Sequence, residues 1–261
     1  MSFDTLIAVP LGFGLGFLIG LTGVGGGAVV APALYVLLRL SYQDAVTLSL
    51  VYSFFTKIAG ALQHIRQGTV RWKPTLLYGL SGVPGAIAGA RIVHWAGAAG
   101  ERVFPVIMAG VLLVVALLIL TEDAVRRRAG WTPPFAPDTL TPSSIVIVGA
   151  WQVVVGFLMG VTSVGSGSLV ILSMLYLFRM SAQEVVGSNI VIALVMVLPA
   201  ALAHAAVVPV DWSLLALLLL GSIVGAAVGA RVTLRLSERT LKHVIAALIA
   251  AAATATVAKA W

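Results

Sequence analysis

Long apolar runs separated by short polar segments make up most of the chain. The runs number ten and cover residues 5–21, 28–38, 46–63, 74–90, 103–121, 143–160, 168–178, 185–203, 213–230 and 244–258. Because about 20 apolar helical residues cross the hydrocarbon core, most runs are long enough to span a bilayer. Runs 28–38 and 168–178 are shorter, since about 11 helical residues rise only about 16 Å. The pattern predicts ten helical segments, two of them half-length, and leaves open whether those two cross fully.

The chain also contains an internal repeat. Residues 16–51 align without a gap on residues 156–191, with 15 of the 36 positions identical. The similarity continues along both halves and stops at a segment rich in arginine and proline. It predicts a first membrane repeat at 1–121, a polar cytoplasmic linker at 122–142 and a second membrane repeat at 143–261.

The distribution of basic residues predicts how the two halves are oriented. If the halves are inverted in the membrane, loops 64–73, 122–140, 179–184 and 231–242 share one side and carry 11 basic residues, against four on the other side. If the halves are parallel, the loops on one side carry 7 basic residues and the loops on the other side carry 8, so there is no charge bias. Since cytoplasmic loops are enriched in Lys and Arg, the sequence predicts inverted repeats with both termini outside.

Composition supports an all-α polytopic membrane protein. The chain is 60% hydrophobic and 10% charged, with a mean hydropathy of +1.09, which leaves too little polar surface to coat a soluble globule. Its net charge of +7 is typical of basic cytoplasmic loops, so the expected partner is the lipid bilayer and not nucleic acid. There are no cysteines and no paired-histidine motif, so no metal site, cofactor or catalytic residue is expected.

Each half places a polar loop between two apolar runs. In lipid, such a loop is tolerated only where it is buried in protein or lines a wet cavity. Free amides and the positive end of the half-length helix that follows would attract an anion. The loop residues that could form this nest are Thr22, Gly23, Gly25, Gly26, Gly27, Thr162, Ser163, Ser166 and Ser168. The alternative is that such glycines only permit close helix crossing, which is the interpretation for Gly12, Gly16, Gly20, Gly85 and Gly89.

A few polar residues lie inside the apolar runs. Ser49 and its repeat counterpart Asn189 lie about two turns inside their helices, where they either bond between helices or line the binding site. Lys57 is a charge inside a run; it is either functional or close enough to the end to reach the interface. All nine acidic residues fall in termini or loops. A buried carboxylate relay is therefore not expected, and the cargo itself is expected to carry the charge.

Several motifs together resemble the TauE/SafE family of membrane anion permeases, known as sulfite exporters. The first half carries GLTGVGGGAVVAP at 20–32, AVTLSL at 45–50, QGTVRW at 67–72 and PGAIAGAR at 84–91. The second half echoes them as GVTSVGSGS, VVGSNI, VVPVDW and VGAAVGAR. The second half departs from the first where GSG replaces the glycine run and Leu172 replaces Pro32, so the two loops need not contribute equally.

The resemblance implies a transporter of the cytoplasmic (inner) membrane that exports sulfite or related organosulfur anions. Because the sequence has no ATP-binding motif, we expect a secondary transporter and not an enzyme, with alternating access by rocking of the two halves. The motif positions that the resemblance places near the path are Thr22, Gly25, Gly26, Gly27, Thr162, Gly165, Ser166 and Gly167. An importer of similar anions and a membrane protein that binds without transporting remain alternatives. The small-residue patterns are also compatible with a homodimer.

Overall fold

The computed structural model describes residues 3–22, 27–129, 132–165, 167–233 and 238–260, and these are almost entirely helical. The helices are α1 (Phe3–Thr22), α2 (Gly27–Leu37), α3 (Tyr42–Arg66), α4 (Trp72–Trp95), α5 (Gly97–Ala129), α6 (Pro142–Thr162), α7 (Ser168–Leu177), α8 (Ala182–Ala205), α9 (Trp212–Thr233) and α10 (Glu238–Ala260). Each of the ten predicted runs lies within a helix or extends at most one residue past it, so the predicted all-α architecture is confirmed. The short runs form the short helices α2 and α7.

Local sequence explains several of the helix ends. Ser181 and Glu184 form a reciprocal capping box at the start of α8, and Thr141 caps α6 with Pro142 in its first turn. At α3 the Ser41 hydroxyl accepts from the backbone N–H of Asp44. Helix α5 differs from expectation, because it continues to Ala129 and so extends into the segment assigned to the linker.

Six helices are long and apolar enough to cross a membrane, which makes the protein a multi-pass membrane protein. They lie at Tyr42–Arg66, Trp72–Trp95, Ala99–Thr121, Pro142–Thr162, Gln183–Ala205 and Trp212–Gly229. Shorter apolar helices occupy Ile7–Ile19, Ala28–Leu37, Ser168–Leu177 and Ala246–Lys259. Helices α3 and α8 are the most buried of the six and form the centre of the bundle.

The first helix of each half packs against the fourth helix of the other half. Helix α1 lies along α9 and α4 lies along α6, and these are the most extensive helix pairs in the protein. Glycines make both pairings possible: a Cβ added at Gly16 would overlap the Ser222 backbone, and one at Gly89 would lie 2.9 Å from the Val161 nitrogen. The packing role predicted for Gly12, Gly16, Gly85 and Gly89 is therefore what the structure shows, while the surroundings of Gly20 lie outside the description.

The central helices run in opposite directions. Thr47 on α3 approaches His204 on α8, and Gly60 approaches Ile190, so position along α3 increases as position along α8 decreases. Helices α4 and α8 run the same way, because Gly79 meets Val195 and His94 meets His204. If the two halves were parallel, α3 would run in the same direction as α8, and α4 would run in the opposite direction to α8. The antiparallel α3 and α8 are compatible with inverted repeats, whose orientation in the membrane stays a prediction.

Three polar segments meet at one end of the bundle. The Arg71 side chain bonds Glu184, with Nε 2.7 Å from Oε1, and lies 3.6 Å from Asp138 of the linker. Arg179 Nε donates to the carbonyl of Pro133 in the same linker. The hydrogen bond and charge of Glu184 raise the pKa of Arg71 above its ordinary value. Three of the four loops that the inverted topology assigns to the cytoplasmic side, 64–73, 122–140 and 179–184, thus contact one another.

Cysteine labelling tests this topology, and the chain has no cysteine of its own to give a background. Gln67→Cys and Val207→Cys place single thiols at exposed positions at opposite ends of the α3–α8 pair. In intact cells an impermeant maleimide is expected to label position 207 and not position 67. Ser181→Cys is the matched control and is expected to behave as position 67. Labelling of 67 and 207 from the same side would contradict the inverted arrangement.

Candidate substrate-binding site

The loop between α6 and α7 is buried inside the bundle. Helix α6 ends at Thr162, and Ser163 follows in the left-handed conformation with φ 60°. Gly165 has φ +114°, a backbone conformation that residues with a Cβ rarely adopt. Gly167 is the N-cap of α7, and its lack of a side chain leaves the first turn of that helix without a side-chain cap. Thr162, Ser163, Gly165 and Gly167 are all buried, whereas Ser166 lies outside the described residues.

Side chains from the loop and from central helices satisfy the end of α6. Thr162 Oγ1 donates to Leu158 O and accepts from the backbone N–H of Val164 at 3.0 Å. The last carbonyls of a helix have no partner within it, and here Gly160 O accepts from His204 Nε2 while Val161 O accepts from the Tyr42 hydroxyl, both at 2.8 Å. The end of α6 is therefore held rigidly between α3 and α8.

One predicted residue from α3 reaches this loop. Ser49 is fully buried, and its hydroxyl lies 3.0 Å from the hydroxyl of Ser163. Either oxygen can donate in this pair, so one hydroxyl hydrogen remains available to a third group. The start of α7 has no side-chain cap, and hydroxyl and free amide groups are the kinds of donor from which an oxyanion accepts hydrogen bonds.

The corresponding loop of the first half is only partly described. Thr22 is the last residue of α1 and Gly27 is the first residue of α2. Gly23, Gly25 and Gly26 lie outside the described residues, so their predicted role stays a prediction.

Asn189 does not join Ser49, although the two occupy equivalent positions in the repeats. Because α3 and α8 are antiparallel, Ser49 lies level with residues near Ala201 on α8, about 12 residues from Asn189. At 1.5 Å per residue the two side chains are separated by roughly 18 Å along the helices. The predicted residues thus divide into a cluster around Ser163 and a separate position at Asn189.

The structure adds polar groups that the sequence did not single out. Gln152 on α6 is fully buried, and neither of its side-chain polar atoms has a partner among the described residues. The sequence feature that could have identified Gln152 is a single amide side chain inside the apolar run 143–160. His94 is a second such group; its ring meets that of His204 with centroids 4.7 Å apart.

Two pockets open at opposite ends of the central pair. One of about 540 Å³ is lined by α4 and α8 and includes Arg91 and His94. The other, of about 570 Å³, includes His64, Thr69 and Gln183 near the loops assigned to the cytoplasm. No carboxylate lines either of them in the part of the chain that the structure describes. Arg91 gives the first pocket a positively charged side chain.

The bundle of apolar helices makes this a multi-pass membrane protein, with a buried break between α6 and α7 and a pocket at each end of the central pair. The sequence comparisons agree with this class. The chain belongs to the sulfite exporter TauE/SafE family, whose model matches residues 8–256.

Its relatives include probable membrane transporter proteins of Bacillus subtilis (strain 168). YjnA is 36% identical over 221 residues, covering 82% of this chain and 85% of the relative. YdhB is 26% identical over 217 residues, covering 83% and 85%. The probable membrane transporter protein MJ0441 of Methanocaldococcus jannaschii is 26% identical over 186 residues, covering 66% and 63%. No solved structure matches the chain significantly.

Proposed function

We propose that this transporter exports small anions, sulfite or a related organosulfur anion, across the cytoplasmic membrane. The observation that carries the proposal is the buried break between α6 and α7. The Ser49 hydroxyl lies 3.0 Å from that of Ser163 at one end of this loop, and α7 begins without a side-chain cap at the other end. A small oxyanion matches both features, because it accepts several hydrogen bonds and is attracted to the positive end of a helix.

The route that we propose follows the interface between α3 and α8. With the predicted topology, the pocket containing His64 and Gln183 faces the cytoplasm, and the pocket containing Arg91 and His94 faces outward. The Ser49–Ser163 pair lies between them, nearer the outward pocket because Ser49 is close to the start of α3. An anion would thus pass from one pocket to the other along the most buried helices of the protein.

If transport occurs by alternating access, each moving part must contain helices from both sequence halves. Rocking of one sequence half against the other would separate α1 from α9 and α4 from α6, the two closest pairings in the bundle. Movement that keeps those pairs intact and changes the contacts of α3 and α8 needs less rearrangement. We therefore expect the glycine-packed pairs to move as units.

Flux measurements in proteoliposomes test the proposal. Labelled sulfite is expected to leave the vesicles saturably and faster when the interior is negative, since 100 mV contributes about 2.3 kcal/mol per charge. For a uniporter and a singly charged anion, that potential supports a concentration ratio of about 50-fold. Competition by sulfate, thiosulfate, sulfoacetate and acetate ranks the cargo.

Protein-free vesicles are the control for leak. Flux no faster than this leak for every one of the five anions would contradict anion transport. Uptake that persists against an inside-negative potential and needs a coupling ion would instead identify an importer.

A further inference from the structure

Lys57 is a buried cation that has no partner among the residues that the structure describes. Its side chain lies on α3 and is only 7% exposed. Its Nζ has no hydrogen-bond partner in the described segments. A charge buried in low dielectric is strongly unfavourable unless an opposite charge or hydrogen bonds offset it. Nothing in the described part of the chain supplies that offset.

The same face of α3 carries a line of hydroxyl groups. Ser49, Ser53 and Lys57 follow one another at intervals of four residues, which places them on one side of the helix. Ser53 is 1% exposed, and its Oγ also lacks a partner in the described residues. The line begins at the Ser49–Ser163 pair and ends at the buried ammonium group.

Asn189 lies close to the level of Lys57. Since Gly60 meets Ile190 across the antiparallel pair, Asn189 is level with Ala61, about one helical turn from Lys57. Asn189 is 3% exposed, and its Oδ1 has no partner among the residues described. An amide offers both donors and an acceptor, so it can bind an oxyanion or a protonated form of one.

We propose that Lys57, Ser53 and Asn189 bind the transported oxyanion inside the α3–α8 interface. The cargo is then the counter-ion that Lys57 lacks, and the two neutral groups complete its hydrogen bonds. This assignment rests on the proposed anion transport. It adds a positively charged binding position to the route, beyond the Ser49–Ser163 pair.

The second half of the repeat does not duplicate this site. The counterpart of Lys57 is Val197, and that of Ser53 is Ala193. The second half therefore offers no equivalent ammonium group in its third helix, α8. One chain is expected to hold one anion at this level of the bundle.

Charge-changing variants separate binding from structure. In the flux assay, Lys57→Met is expected to raise the KM for sulfite by about 30-fold or more, since losing one partner of a buried charge pair is severe. Lys57→Arg keeps a charge that cannot be lost and is expected to restore transport. Ser53→Ala and Asn189→Ala, which change little volume, are expected to raise KM by smaller factors. Lys73→Met, which removes an exposed lysine charge near the linker, is the matched control and should leave KM unchanged.

Thermal unfolding in neutral detergent gives a readout that does not depend on flux. Sulfite is expected to raise the Tm of the wild type and of Lys57→Arg, and to leave that of Lys57→Met unchanged. Without anion, Lys57→Met should be at least as stable as wild type, because it removes an unpaired buried charge. Phosphatidylglycerol is added separately, since a lipid phosphate offers the same chemistry as a free oxyanion.

The outcomes are distinguishable. Wild-type flux with an unchanged KM in Lys57→Met, Ser53→Ala and Asn189→Ala would overturn the site and leave anion transport in place. A Tm shift with phosphatidylglycerol and none with sulfite, sulfate, thiosulfate or acetate would assign the site to lipid and overturn the proposal. Absence of wild-type flux for all of the anions would overturn the proposed function and the site with it.

Discussion

Gly85→Ala is expected to prevent the protein from folding into a stable bundle. A Cβ at this position would overlap the carbonyl oxygen of Val153 and lie 2.8 Å from the backbone nitrogen of Phe157. Both atoms belong to α6 backbone, so no side chain can rotate away, and α4 and α6 must separate. We expect a loss of about 3 kcal/mol or more in stability, seen as aggregation in size-exclusion chromatography and a lowered Tm.

Gly110→Ala is the matched control for this experiment. Gly110 lies in α5, where an added Cβ would have no described heavy atom within 4 Å, and alanine favours the helix by about 1 kcal/mol. This variant should be as stable as the wild type or more so. Equal stability of Gly85→Ala and wild type would show that α4 and α6 do not pack as closely as described.

Gly165→Ala is expected to reduce transport by about 100-fold while the protein remains folded. At φ +114° an alanine is strained, so the loop between α6 and α7 must change its path. That change moves Ser163 away from Ser49 and alters the start of α7, where we place the anion. Displaced binding groups have effects of this size on rates even when they lie away from the moving substrate. Sulfite flux in proteoliposomes measures the loss.

Gly68→Ala separates backbone strain from loss of the site. Gly68 also has positive φ, +69°, but it lies in the exposed turn between α3 and α4 with open space around it. Its variant should lose some thermal stability and keep its flux. Equal flux in Gly165→Ala and Gly68→Ala would remove the α6–α7 loop from the transport path.

Much of the fold could be predicted because lipid imposes strict rules on sequence. Long apolar runs have to be helices, and the two short runs after glycine loops became α2 and α7. The end of α5 was missed because the arginines near 126–128 suit a helix end as well as a linker. The packing of α1 against α9 was missed for a different reason. A glycine pattern indicates that another helix packs closely, but it does not identify which helix that is.

The position of the α6–α7 break could be predicted from the glycine and serine residues and from the short run that follows them. Ser49 was expected either to bond between helices or to line the site, and the binding role of these residues stays a prediction. The different levels of Ser49 and Asn189 did not follow from the sequence, because equivalence in the repeat does not fix where two residues lie along the antiparallel α3 and α8. The burial of Lys57 depends on tertiary packing, and its distance from a helix end along the sequence did not show it.

The exchange of helices between the halves also constrains how the protein is made. Helix α1 leaves the ribosome first, yet the backbone against which its glycines pack lies about 200 residues later, in α9. At roughly 5–20 residues per second, the insertion machinery holds or shelters α1 for about 10–40 s before that partner exists. Until then its glycine face is exposed to lipid or to a chaperone. A nascent chain truncated before residue 212 would thus be a natural substrate for membrane quality control.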